Sequence, residues 1–378
     1  MTYSADAIRS IKLSTVTMPL AAPISDAKVA TGRQKPLTEG IFLVAEVTTE
    51  QGFEGMGFSY SLRAGGPAQY AHAREVADVL IGADPNDIGR LYDKMLWAGA
   101  SVGRAGVAPQ AIAAADTALW DLKARRSNLP LAKLIGAHRD SVPTYNTSGG
   151  YLNSSIEEIK DNASRSLKDG IGGIKIKVGL PDGAEDLRRV AAVREHLGAD
   201  VPLMVDANQQ WDRTTALRMG RRLEEFELTW IEEPLDAYDA EGHARLAQAL
   251  DTPVATGEML SSVQELERHI AARSCDILQP DAPRVGGVTP FLRLATLADH
   301  AGLDIAPHFV MEIHVHLAAC YPREPWVEHF DWLEPLFEER LEIRDGRMFV
   351  PQRPGLGLTV SGQARAWTTD SVLIGADA

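Results

Sequence analysis

Cysteine is nearly absent. Cys275 and Cys320 are the two in 378 residues, so neither a disulfide framework nor a thiolate metal site is available. Both stand in apolar stretches and read as buried packing residues. Basic residues are also scarce: 38 Lys and Arg stand against 52 Asp and Glu, a net charge of −14. That balance argues against nucleic acid or an anionic membrane as a partner, because both select basic surfaces. No apolar run is long enough to cross a bilayer. The first residues lack a basic stretch followed by an apolar one, so no signal peptide is read and a cytoplasmic location is expected. An acidic chain that binds an anion must do so through a local cluster of cations, with a metal as the natural supplement.

The most regular part of the chain runs from about residue 141 to 330. Short β-rich runs recur there: Val142 to Thr147, Ile174 to Val178, Pro202 to Asp206, Leu228 to Glu232, Pro253 to Thr256, Asp276 to Gln279, Leu303 to Ala306 and Trp326 to Glu328. Amphipathic helical patterns separate them, as in Gly183 to Leu197 with Leu187, Val190, Ala191 and Val193 among Arg and Glu. Strands separated by single helices imply parallel pairing through right-handed crossovers. The expected fold is α/β, a (β/α)7β TIM-like barrel over residues 140–350 with its active site at the carboxyl ends of the strands. Residues 1–139 read as an α+β capping domain, with strands at Ile8 to Val16, Ile41 to Thr49 and Phe53 to Ser59 and a helix at Pro109 to Ser127. The tail, 351–378, has a Pro354-Gly355-Leu356-Gly357 turn and a strand-like end, and is expected to return to the cap.

Three acidic residues close successive strands: Asp206 in MVDAN, Glu232 in WIEEP and Glu258 in ATGEM, in equal steps of 26 residues. One βα unit per step sets the three carboxylates side by side around the barrel mouth. Any one alone would read as a surface charge or helix cap; three converging carboxylates need a cation to remain ionised. All-oxygen ligation with open positions suits Mg²⁺. Lys175 and Lys177 end the preceding strand two residues apart, so both face the barrel interior. Their mutual repulsion beside a metal is expected to leave one of them a neutral base near pH 7. Asp281 ends the sixth strand and His308 the seventh, a spacing at which a carboxylate holds an imidazole in one tautomer and raises its basicity. Glu328, ending the eighth strand, is expected to complete the ring as a hydrogen-bonding acid. His314, His316 and His329 read as structural. A divalent metal with a Lys base on one side and a His–Asp base on the other is equipment for removing a proton α to a carboxylate, the metal stabilising the ene-diolate.

At these residues the sequence resembles the mandelate racemase subgroup of the enolase superfamily. Within it, the chain is most similar to acid-sugar dehydratases that act on L-talarate and galactarate. The segments that carry this include Ser25-Asp26-Ala27-Lys28-Val29, Trp97-Ala98-Gly99-Ala100-Ser101-Val102-Gly103-Arg104 and Pro280-Asp281-Ala282-Pro283-Arg284-Val285-Gly286-Gly287. The resemblance implies Asp206, Glu232 and Glu258 as Mg²⁺ ligands, Lys177 and His308 as the acid–base pair, Lys175 in support of Lys177 and in contact with substrate, and Asp281 as the group orienting His308. It implies substrate contacts from Asn208 and Glu328, and from Asp26, Lys28 and Arg63 of the cap. The implied reaction is loss of water to a keto-deoxy diacid, with epimerisation as a competing outcome, in a homo-oligomer of the octameric kind. The family pattern puts a Lys-Arg pair in the second cap loop, where this chain has Leu62-Arg63. One cation fewer there would weaken the grip on the distal carboxylate or alter substrate preference.

Another dehydratase, racemase or epimerase of acid sugars would use the same site, and product identification separates these. A cycloisomerase of unsaturated diacids fits less well, because the cap offers groups suited to a hydroxylated substrate. A non-catalytic binder has no need for a Lys base facing a His base.

Overall fold

The computed structural model describes residues 6–376. Near the amino terminus, β1 (Ile8–Ile24), β2 (Leu37–Thr49) and β3 (Glu54–Leu62) form an antiparallel meander. Eight short strands follow: β4 (Ser141–Asn146), β5 (Gly173–Lys177), β6 (Leu203–Asp206), β7 (Ile231–Glu232), β8 (Val254–Thr256), β9 (Ile277–Leu278), β10 (Asp304–Ile305) and β11 (Val327–His329). A hairpin of β12 (Ile343–Arg344) and β13 (Arg347–Phe349) comes next, and the last strand is β14 (Thr368–Gly375). That strand pairs antiparallel with β1, so the sheet order is β14-β1-β2-β3 and the tail does return to the amino-terminal sheet.

The meander is longer than its hydrophobic alternation suggested. β1 continues past Val16 to Ile24 although Pro19 and Pro23 interrupt the donor pattern, because its register with β2 shifts between Pro19 and Ile24 instead of ending. One face of the sheet buries Ile11, Leu13, Leu43, Ala45 and Val47 against Leu91, Met95, Ile112 and Leu119 of the helices Ile88–Ala98 and Val107–Arg126. The long helix packs on β3 closely enough that only glycine fits at two positions. A Cβ on Gly55 would lie 2.3 Å from the carbonyl oxygen of Ala118, and one on Gly57 would lie 2.3 Å from that of Ala114.

Strands β4 to β10 run parallel in sequence order, and β11 pairs parallel with β4 on the other side, curling the sheet round on itself. A helical connection joins each strand to the next, from Ile156–Lys168 after β4 to Met311–Ala319 after β10, with two helices, Ala282–Val285 and Val288–His300, between β9 and β10; this is the expected (β/α)7β arrangement. The barrel interior is filled by Tyr145, Met204, Trp230, Ala255 and Ala306, with Tyr145 and Trp230 in an edge-to-face contact, centroids 5.1 Å apart. Two buried aspartates of the helix Val107–Arg126 tie the halves together. Asp116 accepts from the backbone (2.9 Å) and hydroxyl (2.6 Å) of Thr289, at the start of a barrel helix. Asp121 accepts from the amides of Met56 in β3 and Leu356 in the tail. The meander therefore sits over the carboxyl ends of the barrel strands, where Phe58 and Tyr60 join one apolar core with Phe309 and Leu260.

Cys275 is buried as expected. Cys320 is only partly so, its thiol against the carbonyls of Ala132 and His316. Burial pushes both thiols up to about 12, which leaves them unreactive. Among the described residues, no helix is long and apolar enough to cross a membrane.

Candidate active site

The parallel register sets Lys177 opposite Asp206 and Asp206 opposite Glu232. Glu258 lies two residues beyond β8, after Gly257 at φ +134°, a conformation that L side chains rarely adopt. One oxygen from each of Asp206, Glu232 and Glu258 can be chosen so that all three lie within 4.8 Å of one another, and all three side chains are buried. Glu232 accepts from Lys175 (2.6 Å), Trp230 (3.0 Å) and Gln279 (2.7 Å). Even so, burial, with the adjacent Asp206 and Glu258 charges, pushes it up to about 8 against the pull of Lys175. Crowded like charges of this kind are relieved by a divalent cation. Three buried carboxylates on strand ends, with no nitrogen or sulfur among them, match the hard-oxygen preference of Mg²⁺. The donor set fits the metal.

Lys177 and His308 flank this triad at its two ends. Lys177 pairs with Asp206, and His308 Nε2 lies 3.5 Å from Glu258. Burial disfavours the Lys177 charge and Lys175 repels it, but the Asp206, Glu258 and Glu232 carboxylates together outweigh both, so with no cation on the triad its proton affinity is raised. The expectation of a neutral lysine is for the metal-bound site, where a cation on Asp206 would add to the repulsion from Lys175. At the other end, His308 Nδ1 donates to Asp281 at 2.8 Å. Burial opposes the imidazolium while Glu258 and Asp281 favour it, and the net direction is upward. Glu258 is held well below the usual carboxylate range: burial works against its charge, but His308, Lys177 and Lys28 outweigh that.

Lys175 and Glu328 form a layer beneath the triad. Lys175 shares a face with Lys177 but lies one pleat deeper, at 1% exposure, paired with Glu232 (2.6 Å) and Glu328 (2.8 Å) above the ring of Tyr145. Glu328 also accepts from the Thr147 hydroxyl and the Phe309 amide. Neither side chain lines the cavity above. They form its foundation.

That cavity, of about 220 Å³, is lined from below by Lys177, Asn208, Glu258, Arg284 and His308, and from above by Asp26, Lys28, Gln34 and Arg63. Asn208 donates its backbone and side-chain N–H to the two oxygens of Asp206, leaving its own Oδ1 buried and unpartnered. Asp26 caps the short helix Ala27–Ala30 and takes a 3.0 Å ion pair from Arg63, whose Nε donates to the Lys35 carbonyl. Arg63, Asn208, Glu233 and Phe309 all adopt positive φ near the site, a concentration of backbone strain typical of functional centres. His314 and His316 are buried, each with its Nε2 bonded to a backbone group, and burial depresses both to about 4, as fits structural histidines. His329 lies outside the cavity lining.

Sequence reasoning missed Tyr60 and Arg284. Tyr60 falls one residue past the strand read at Phe53 to Ser59, and Arg284 reads as part of a motif without a role. Both line the cavity, and Tyr60 reaches across from the cap to Asp281 at 2.5 Å.

A metal-ready carboxylate triad, flanked by a lysine and a histidine at the mouth of a capped (β/α)7β barrel, defines a class of carboxylate-adjacent proton-abstracting enzymes. The chain belongs to the mandelate racemase / muconate lactonizing enzyme family: its amino-terminal domain model matches residues 10–136 and the enolase C-terminal domain-like model matches residues 158–364. It is 63% identical over 363 residues to an L-talarate/galactarate dehydratase of Salmonella typhimurium, covering 96% of this chain and 91% of the relative. The crystal structure of that enzyme with Mg and L-lyxarohydroxamate superposes with a TM-score of 0.98 at 62% identity, over 99% of this chain and 95% of that one. An L-talarate dehydratase from a Polaromonas species, complexed with Mg and L-glucarate, gives 0.96 at 65% identity over 98% and 99%.

Proposed function

We propose that this chain is a Mg²⁺-dependent hydro-lyase that dehydrates L-talarate and galactarate. The observation that carries the reading is the triad with Lys177 at one end and His308 at the other, beneath a cavity supplied with Lys28, Arg63 and Arg284. The kinship to dehydratases at more than 60% identity over nearly the whole chain supports the substrate class. Asp206, Glu232 and Glu258 hold the Mg²⁺, which supplies the positive charge that acidifies the carbon next to a bound carboxylate. Lys177 and His308 face the substrate from the two ends of the triad. For a given epimer one takes the α-proton and the other gives a proton to the departing β-hydroxyl, so one water is lost. The enol left behind tautomerises to a keto-deoxy diacid. Return of the α-proton from the opposite base would give epimerisation instead. Asp281 holds His308 in its Nδ1–H tautomer, and Lys175 with Glu328 fixes Glu232 from below. Asn208 orients Asp206 and turns its free Oδ1 toward substrate, while Asp26, Lys28 and Arg63 read the far end of the diacid.

The division of labour is a cap of residues 1–139 completed by 351–378, over a barrel of 140–350. We place the enzyme in the cytoplasm as a homo-oligomer, with an octamer the assembly expected of its kin. The test is incubation with galactarate and L-talarate, with and without Mg²⁺. Formation of a ketone with loss of water only when Mg²⁺ is present supports the reading. Epimerised or racemised substrate without a ketone would favour the neighbouring racemase reading.

A further inference from the structure

The dyad that serves His308 is a barrel feature, yet one of its hydrogen bonds comes from the cap. Tyr60, near the end of β3, donates its hydroxyl to Asp281 Oδ2 at 2.5 Å, the same oxygen that accepts from His308 Nδ1 at 2.8 Å. The phenol oxygen lies 3.4 Å from that Nδ1 and accepts from Arg284 Nε at 3.0 Å. Arg284 is in turn fixed by its own amide, which donates to the other Asp281 oxygen at 3.0 Å. The Tyr60 ring is 1% exposed and stands edge-on to Phe309, the residue after His308, with centroids 4.6 Å apart. Among the described residues, no cap side chain hydrogen-bonds Lys177, which is paired with Asp206 on the far side of the triad.

We infer that Tyr60 is a positioning residue through which the seated cap holds the Asp281–His308 dyad in its working geometry, so that the cap governs one of the two bases and not the other. Asp281 Oδ2 has two donors, one from each half of the molecule. Its carboxylate plane, and with it the aim of His308 Nε2, is set by both. Burial, with Asp281 adding to it and Arg284 opposing, keeps the phenol protonated and therefore a donor. The hydroxyl cannot serve as a base of its own: its proton is committed to Asp281 and its lone pair to Arg284. Removing the hydroxyl leaves Asp281 held by His308 and the Arg284 amide alone, free to rotate on the side that Tyr60 closed.

This inference rests on the two-base reading and is tested where the bases can be told apart. Tyr60→Phe keeps the ring and its packing on Phe309 and removes only the hydroxyl. It is introduced into Lys177→Ala, where His308 is the sole base, and into His308→Asn, where Lys177 is. Exchange of the α-proton of galactarate and of L-talarate is followed by proton NMR in deuterium oxide with Mg²⁺. The expected result is a loss of roughly tenfold or more in the Lys177→Ala background, since small misplacements of a catalytic group carry penalties of this order. In the His308→Asn background the change should stay under about twofold. In otherwise unaltered protein, Tyr60→Phe added to Asp281→Asn should cost nothing beyond Asp281→Asn alone, because both act through one carboxylate. Equal losses in the two backgrounds would reduce Tyr60 to a packing residue and overturn the proposal, as would no loss in either or additive losses with Asp281→Asn. Were the two single-base backgrounds to exchange the same epimer before Tyr60 is touched, the two-base reading would fall first and take this inference with it.

Discussion

On the floor of the site, Glu232 is fully buried and takes hydrogen bonds from Lys175, Trp230 and Gln279. In the roof, Arg63 is about one-fifth exposed and commits one nitrogen to Asp26 and another to a backbone carbonyl. The floor side chains stand on or next to strand ends locked by parallel ladders. The roof side chains stand on a four-residue helix and on a turn, followed by exposed chain from Ala30 to Pro36. Charge is buried in the floor only where it is matched, Lys175 lying between Glu232 and Glu328. Such pairs give little net stability but fix geometry, and breaking one leaves a costly unmatched charge. In the proposed reading the difference separates two tasks: chemistry on side chains fixed by buried partners, and selection among acid sugars on side chains carried by exposed loops.

The sharpest way to break this comparison is Glu232→Gln. Removing one floor charge should cost roughly a thousandfold or more in kcat, the scale of losing a principal electrostatic stabiliser. Circular dichroism should stay near native, because Lys175 keeps Glu328 as a partner. Isothermal titration should show weakened Mg²⁺ binding; substantial turnover on restoring Mg²⁺ after chelation would remove Glu232 from the ligand set.

A roof change should be smaller and selective. Arg63→Ala should raise KM for the hexaric diacids by roughly tenfold to a hundredfold, the value of one charge-assisted hydrogen bond. Monoacid sugars should be far less affected. Equal losses on both classes would mean that Arg63 serves only to hold Asp26.

The joint between the two regions offers the mildest effect. Gly57→Ala puts a methyl group against the backbone of the helix Val107–Arg126 and should destabilise by about 1–3 kcal/mol, as overpacking does. Mg²⁺ affinity should hold, since the triad lies wholly in the barrel. An unchanged Tm would show that the helix yields at no cost.

The two regions were unequally legible in the sequence. All eight barrel strands and the triad could be read, because hydrophobic runs, punctuation and the 26-residue step are properties of the chain itself. For Lys175 and Glu328 the sequence told the face and not the depth: alternation fixes the side of a strand, while the distance to the mouth depends on how many pleats lie above. Tyr60 was invisible as a functional residue because its partner Asp281 is 221 positions away, in the loop after β9 of the barrel. In the meander, prolines that look like breaks are absorbed by a register shift. The cap cations could be named only by resemblance, since nothing in a loop's composition says which residues face a ligand.

The account stands on two bases working from opposite ends of one metal site, and one experiment addresses that directly. Lys177→Ala and His308→Asn are each incubated with galactarate and with L-talarate in deuterium oxide containing Mg²⁺, and the α-proton signals are followed by NMR. Both variants should lose dehydration. Each should still exchange the α-proton of one epimer, the one whose proton faces the surviving base, and the two variants should have opposite preferences. Exchange of the same epimer by both, or dehydration by either at close to the unaltered rate, would contradict the account.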